Sequence, residues 1–499
     1  MIDRIGRILK RLERQKGAVL YGLVATATIF FIGTAGRSHS TGFKSVGDRM
    51  IEKGGQVART VMPSGVALTG ELSQTMLAQA ADGRVYLSLA VAVPDMPCEG
   101  KSCSANRPTD TVIILDRSGS MSADNRLPFA KRAIHGLIDR LQPQDRIGIV
   151  AFDSSAEIIS PLTFLTKETK AALHQSVDLV APGSGTNMSQ GMEIGRSLLA
   201  SVHGERAQKV ILLSDGEANE GIVEPQQLAK LASTVNQRSA SFSTIGMGLG
   251  FNEQLMANLA DWGGGSFSYL EHLETLGTIL DKNLKDARRL YATTSAIELR
   301  LSPEIRLVDA AGYPIERSSD AVTIPFGELL SASKKSAILT LELPTDRIHS
   351  HSLGGVSLRF RNNDGEHVVG LPSDVLKISV VDARRKAEIS ASINSDLYRQ
   401  SWVSNNLGSL QQSIQKDLSR GDVSSAKASI AQYEGALGNA SAAAAVDLAS
   451  PEVKAKLDGM RAEIEEASKG SGAEQEEKRN RLGKRYLYEG KTNQRSSSY

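Results

Sequence analysis

The stretch Thr111-Val112-Ile113-Ile114-Leu115-Asp116-Arg117-Ser118-Gly119-Ser120-Met121 decides the fold of the middle of this chain. Val112 to Leu115 is a continuous apolar run that ends in an aspartate, and two serines follow in a short loop. A run that is apolar on both faces suits a parallel strand covered by helices on either side. Further runs of this kind occupy Ile147 to Phe152, Val210 to Leu213 and Phe242 to Met247. Amphipathic stretches near 126–141, 168–179, 188–201, 224–238 and 271–289 separate or follow them and predict helices. The alternation predicts a doubly wound α/β domain over residues 108–290.

In open parallel sheets, ligands bind beyond the carboxyl ends of the strands. Asp116, Ser118 and Ser120 fall there. Gly183-Ser184-Gly185-Thr186-Asn187 offers another hydroxyl in a glycine-rich loop just before a helix, and Val210-Ile211-Leu212-Leu213-Ser214-Asp215-Gly216 repeats the order strand, aspartate, turn. The glycines let these loops turn sharply and approach closely. Three loops at one sheet edge can bring the carboxylates of Asp116 and Asp215 and the hydroxyls of Ser118, Ser120 and Thr186 to one point. Such an all-oxygen shell suits Mg²⁺, Mn²⁺ or Ca²⁺ and not zinc or copper. Taken singly, Asp116, Ser118 or Thr186 could instead cap the helix that follows. Glu217 and Asn219, close to Asp215, read as loop surface.

On these residues, 108–290 resembles a von Willebrand factor A (VWA) domain. Asp116, Ser118 and Ser120 match the D-x-S-x-S stretch of its metal-ion-dependent adhesion site, Thr186 its separate threonine and Asp215 its later aspartate. The resemblance implies a Rossmann-like fold and a binding module. In such a module the protein coordinates a divalent cation incompletely, with Mg²⁺ the first choice, and a protein partner supplies an Asp or Glu as the last ligand. The physics agrees, because neutral hydroxyl ligands leave charge on the cation for an incoming carboxylate to satisfy.

The surroundings of the domain differ in pattern. Val85, Leu87, Leu89, Val91 and Val93 alternate as a half-buried strand that needs a sheet elsewhere. Alternation returns after Tyr291 at Ile297, Leu299 and Leu301, at Leu339, Leu341 and Leu343, at Val356, Leu358 and Phe360, and at Leu376, Ile378 and Val380. These predict an antiparallel β-sandwich over 291–381 into which the earlier strand pairs, so that the α/β domain is an insertion. From Asp382 to residue 469 the spacing is helical and predicts a helical hairpin or short bundle. Gly421 suits the position after a helix, Asp422 an N-cap, and Ser450-Pro451 the start of the last helix. Residues 37–80, rich in Gly, Ser and Thr, read as a tether, 81–107 as the orphan strand and a cysteine-bearing loop, and 470–499 as a disordered tail. The layout also resembles that of bacterial membrane-anchored proteins of the same superfamily.

The chain of 499 residues is 40% hydrophobic and 23% charged, with Lys plus Arg at 58 against Asp plus Glu at 56. No global basic field argues for nucleic acid. Gly17 to Gly36 is a run of 20 residues without a charge. At about 1.5 Å per residue it can cross a hydrocarbon core of roughly 30 Å. Arg4, Arg7, Lys10, Arg11, Arg14 and Lys16 precede it against Asp3 and Glu13, which predicts a cytoplasmic segment 1–16, an anchor at 17–36 and an exported remainder in the periplasm or outside the cell. A cleaved signal peptide is the competing reading, with small residues at Gly33-Thr34-Ala35. In an oxidising compartment Cys98 and Cys103 could close a small disulfide loop, worth about 2 kcal/mol.

Catalytic and nucleotide motifs fail. Gly100-Lys101-Ser102 and Gly490-Lys491-Thr492 lack the earlier glycine of a phosphate loop, with Asp95 and Arg485 in its place. Ser118 has Asp116 and Ser120 where a nucleophile elbow needs glycines. No His-Glu-x-x-His motif occurs among the 8 histidines. The expectation is a non-enzymatic, membrane-anchored adhesion or scaffolding protein. The alternatives are a metal-dependent hydrolase using the same cation and an assembly subunit that recruits an ATPase.

Overall fold

The run Val112–Leu115 lies in the middle of a sheet whose two faces are both buried, and successive side chains enter different cores. Ile113 and Leu115 pack with Leu127, Ile134, Leu137, Leu173 and Leu280. Val112 and Ile114 pack with Met188, Met192, Leu228, Leu255 and Leu259 on the other side. Burying each such side chain contributes about 1.5–3 kcal/mol. Our computed structural model describes residues 49–52, 56–95, 107–199, 206–215, 218–236, 240–248, 252–270, 273–362 and 364–495. The anchor expected at 17–36 and the cysteine pair Cys98 and Cys103 lie outside the described residues, among which no helix is long and apolar enough to cross a membrane.

Five strands precede the α/β domain: β1 (Arg49–Glu52), β2 (Val57–Val61), β3 (Ala67–Leu72), β4 (Met76–Ala78) and β5 (Arg84–Val93). The domain itself contains β6 (Thr109–Asp116), β7 (Arg146–Phe152), β8 (Ala156–Phe164), β9 (Ala207–Ser214), β10 (Ala240–Met247) and β11 (Gly264–Leu270). Their order across the sheet is β11-β10-β9-β6-β7-β8. All pairs are parallel except β7 with β8. Ile113 stands beside Ile149 on one side and Ile211 on the other. From β6 the chain first builds outward through β7 and β8, then returns to lay β9 on the opposite side. The gap between β6 and β9 is thus the topological switch point of a doubly wound sheet.

Helices Arg126–Arg140, Lys167–Asp178 and Leu276–Arg288 cover one face, and Met188–Leu199, Pro225–Asn236 and Glu253–Trp262 the other. A side chain on Gly195 would reach within 2.5 Å of Ile114, so glycine sets how closely that helix lies on β6. Two strands and one helix escape the sequence pattern. β8 is an antiparallel edge strand with Pro161 in it and a largely exposed burial pattern, β11 is rich in glycine and serine, and the helix Glu253–Trp262 was too short to separate from its loops.

After the domain come β12 (Leu290–Ala292), β13 (Thr294–Leu301), β14 (Arg306–Ala310), β15 (Glu316–Arg317), β16 (Val322–Pro325), β17 (Leu329–Leu330), β18 (Ser333–Glu342), β19 (His349–Ser352), β20 (Gly354–Asn362), β21 (Gly365–Leu371) and β22 (Lys377–Val381). Sheet β1-β2-β3-β5-β18-β14 faces sheet β15-β16-β13-β20-β21, and one core holds Leu68, Leu87 and Leu89 with Ile297, Leu299, Leu358 and Phe360. β5 pairs with β18 from Val93↔Ser333 to Arg84↔Glu342, so strands from before and after the α/β domain close one sheet around it.

Two segments differ from the sequence reading. The stretch expected as a tether supplies β1 to β4. Its pattern is weak because Arg, Thr, Gly and Glu occupy half of the paired positions, and the ladder from Val57↔Glu71 to Val61↔Ala67 holds it instead. The stretch expected as a disordered tail forms a helix, Gly472–Arg495, with Leu482, Tyr486 and Leu487 buried. Its low hydropathy hides a contact between small residues, since a side chain on Gly408 would meet the Gly490 carbonyl at 2.8 Å. Helices Ser395–Ser419, Val423–Ala444 and Pro451–Ala467 complete this group, which packs on Tyr86 and Ile338 on the outer face of the sandwich. Gly421 has φ +75° between the first two, and Asp422 accepts a hydrogen bond from Ser425 N at 2.9 Å as an N-cap.

Candidate metal centre at the sheet edge

β6 and β9 end side by side at the switch point, and each delivers an aspartate there. Asp116 is the last residue of β6 and is wholly buried, while Asp215 follows β9 and is 1% exposed. Asp116 Oδ1 accepts from Ser118 N at 2.8 Å and Oδ2 accepts from Ser214 Oγ at 2.6 Å. The loop after β6 folds back as a short 3₁₀ segment starting at Gly119. That turn places Ser118 Oγ 3.1 Å from Ser120 Oγ, and Ser120 Oγ donates to Asp215 Oδ1 at 2.7 Å. Four of the five residues expected from the sequence therefore form one hydrogen-bonded cluster.

Thr186 reaches the edge through its loop. It is buried at 4% exposure, yet among the described residues no hydrogen bond joins its hydroxyl to the cluster. Gly183 N donates to Arg117 O at 2.7 Å, which ties the glycine-rich loop to the loop after β6. Asn219 clamps the other side: its Oδ1 accepts from Thr186 N at 2.7 Å, and its own N–H donates to Thr186 O at 3.1 Å. Asn219 is exposed, as expected of loop surface, and is also a positioning residue of the edge. Glu217 lies outside the described residues.

Two further participants carried no motif. Ser214 directs a hydroxyl at Asp116, and Arg126, at the start of its helix, pairs with Asp215 Oδ2 and with Asp124 at 2.8 Å. A sequence pattern finds ligand types at fixed spacing, whereas Arg126 reaches the site only because the 3₁₀ turn brings its helix start back over the edge.

The two carboxylates are treated unequally. Asp215 has the Arg126 guanidinium, while Asp116 has no cation paired with it among the described residues. Burial pushes the Asp116 carboxyl up to about 6, and the nearby Asp215 charge adds to the rise, against hydrogen bonds from Ser118 and Ser214 that lower it. A buried carboxylate fixed by two donors but lacking a counter-charge, beside two hydroxyls and a second carboxylate, fits an oxygen-liganded divalent cation. Asp116, Ser118 and Ser120 would hold it with Thr186 and Asp215, and the ion would supply the missing positive charge.

Comparison with known proteins agrees with the fold of this domain. The sequence model of the von Willebrand factor type A domain matches residues 110–282. An uncharacterized protein of Escherichia coli (strain K12), YfbK, is 26% identical over 198 residues, covering 39% of this chain and 34% of that protein. An uncharacterized protein of Synechocystis, sll0103, is 24% identical over 283 residues, covering 55% of this chain and 66% of its own length. The chain therefore spans only a third to just under two thirds of these relatives. The solved structure of a von Willebrand factor type A protein from Catenulispora acidiphila superposes with a TM-score of 0.59 at 16% identity, over 82% of this chain and 91% of that one, which shows a shared fold. Residues 110–282 are a von Willebrand factor type A domain, set within additional β-sheets and followed by C-terminal helices.

Proposed function

We propose that this chain is a membrane-anchored, exported binding protein. Its domain holds a divalent cation, Mg²⁺ by preference, at Asp116, Ser118, Ser120, Thr186 and Asp215, and takes an Asp or Glu side chain of a protein partner as the last ligand. The observation that carries the reading is Asp116: wholly buried at the switch point, held by Ser118 and Ser214, and without a paired cation among the described residues. Von Willebrand factor type A domains typically mediate protein interaction or adhesion, which fits a site that binds without turning over. Ser118 and Ser120 are hydrogen-bonded to each other and Ser120 to Asp215, and among the described residues neither serine has a histidine partner that would activate it as a nucleophile. Export and anchoring rest on the charge-free run Gly17 to Gly36 and the basic residues ahead of it.

The test is capture of partners by crosslinking in cells that make the full chain, with and without chelator, beside the Asp116→Ala variant. Proteins captured by the native chain in Mg²⁺ and lost both with chelator and in the variant support the reading. An unchanged set of captured proteins under both conditions contradicts it.

A further inference from the structure

We infer that the β-sandwich carries a second metal centre, built from His349, His351 and Glu304 and suited to a borderline transition ion such as Zn²⁺. It differs in chemistry and in place from the oxygen-lined sheet edge.

His349 and His351 are alternate residues of β19, the edge strand of the sheet β19-β22-β4, where they stand opposite Val380 and Ile378. Side chains two apart on a strand share a face, so the ladder alone directs both imidazoles the same way. Their ring centroids are 4.8 Å apart and nearly perpendicular, at 81°. Glu304 comes from the tight turn between β13 and β14, closed by Ile305 N donating to Ser302 O at 2.9 Å. That turn is fastened to the end of β19. Ser302 Oγ donates to Ser352 O at 2.6 Å, and Ser302 N donates to Leu353 O at 3.2 Å. The approach requires glycine at 354, where φ is +97° and a side chain would lie 2.2 Å from the Arg300 carbonyl.

The result is a preformed set of ligands. Glu304 Oε2 is 2.9 Å from His351 Nδ1, and one ligand atom from each of Glu304, His349 and His351 falls within 4.8 Å of the others. Arg347 pairs with the other oxygen of Glu304, which orients the carboxylate and leaves Oε2 facing the imidazoles. His351 is 3% exposed and its Nε2 is buried with no hydrogen-bond partner among the described residues, so its contact with Glu304 is the ring's polar outlet. His349 is exposed and stands at the mouth. Two imidazoles and one carboxylate are the ligand types of a three-residue zinc site with an open fourth position, and they disfavour Mg²⁺, which demands oxygen.

The experiment uses the full chain carrying Asp116→Ala, so that the sheet edge contributes no tight site. Zn²⁺ binding is measured by equilibrium dialysis, and Co²⁺ serves as a spectroscopic probe of nitrogen ligation through its visible d–d bands. One tightly held Zn²⁺ per chain is expected. Adding His349→Ala or Glu304→Gln should weaken it by roughly tenfold or more and abolish the cobalt bands. Because His349 is exposed, circular dichroism of that variant should match the parent. Zinc affinity unchanged by both substitutions, or no zinc bound to the parent at all, overturns the inference.

Discussion

The two ends of β6 carry the same side chain in opposite circumstances. Asp110 and Asp116 are both wholly buried, six residues apart on one strand. Asp110 is gripped by Arg146 at 2.8 and 2.7 Å and by Arg206 at 2.7 Å, and both guanidinium groups lie over the Phe164 ring. Next to it Asp145 takes Thr109 N at 2.8 Å and Arg288 at 2.7 Å. Among the described residues Asp116 is held by Ser118 and by the Ser214 hydroxyl, with no arginine or lysine paired to it. A fold able to bring three arginines to buried carboxylates at one end supplies, among the described residues, no paired cation to Asp116 at the other. The amino-terminal end is a completed ion-pair network, while at the carboxyl-terminal end Arg126 pairs with Asp215 and the proposed cation would serve Asp116.

Asp110→Ala should have the largest effect on that contrast. It strands Arg146 and Arg206 in a partly buried setting, and breaking a buried pair from one side costs about 3–5 kcal/mol, here toward the lower figure because the arginines keep some solvent. Urea unfolding should show the loss with and without Mg²⁺. Asp116→Asn should behave oppositely. Metal-free stability stays the same or rises, while the stabilisation that Mg²⁺ gives the native chain, about 2.7 kcal/mol at a hundred times Kd, disappears. A metal-free loss as large as that of Asp110→Ala would erase the distinction between the two ends.

Ser214→Ala should fall between these and silence. It removes one of the two donors that fix Asp116, costing about 1–2 kcal/mol and weakening Mg²⁺ binding several-fold in calorimetry. A further effect is on pH dependence in chelator. With its carboxyl raised to about 6 against an ordinary value near 3.8, folded Asp116 holds its proton through an interval where the unfolded chain has released it. Stability of the metal-free protein should therefore fall as pH rises from about 4 to about 6, by this group's share. Asp116→Asn should remove that share and leave the rest of the profile.

Much of the fold was legible where burial is symmetrical. Val112–Leu115 and Val210–Leu213 read as strands because both faces meet helices, and the order of strands and helices implied a doubly wound sheet. Asp116, Ser118, Ser120 and Asp215 were legible because carboxylates and hydroxyls recur at strand ends and in the loops just after them. The joint that ties Thr186 to the edge through Asn219 was not, since both bonds meet Thr186 at its backbone, which carries no residue code. Arg126 was hidden for the reason given by its turn. The strands at 49–78 and the helix Gly472–Arg495 were read as unstructured because hydropathy registers large apolar side chains. It does not register a backbone ladder, or a helix crossing at Gly408 and Gly490 secured by Arg495 on Asp261 at 2.7 and 2.9 Å.

Whether Asp116 needs a cation is tested most directly by titration of Mg²⁺ into chelator-stripped protein by calorimetry. The native chain should bind one Mg²⁺ and Asp116→Asn none, with the metal-free variant folded as stably as its parent. Equal Mg²⁺ binding by the two proteins, or no binding by the native chain, would contradict it.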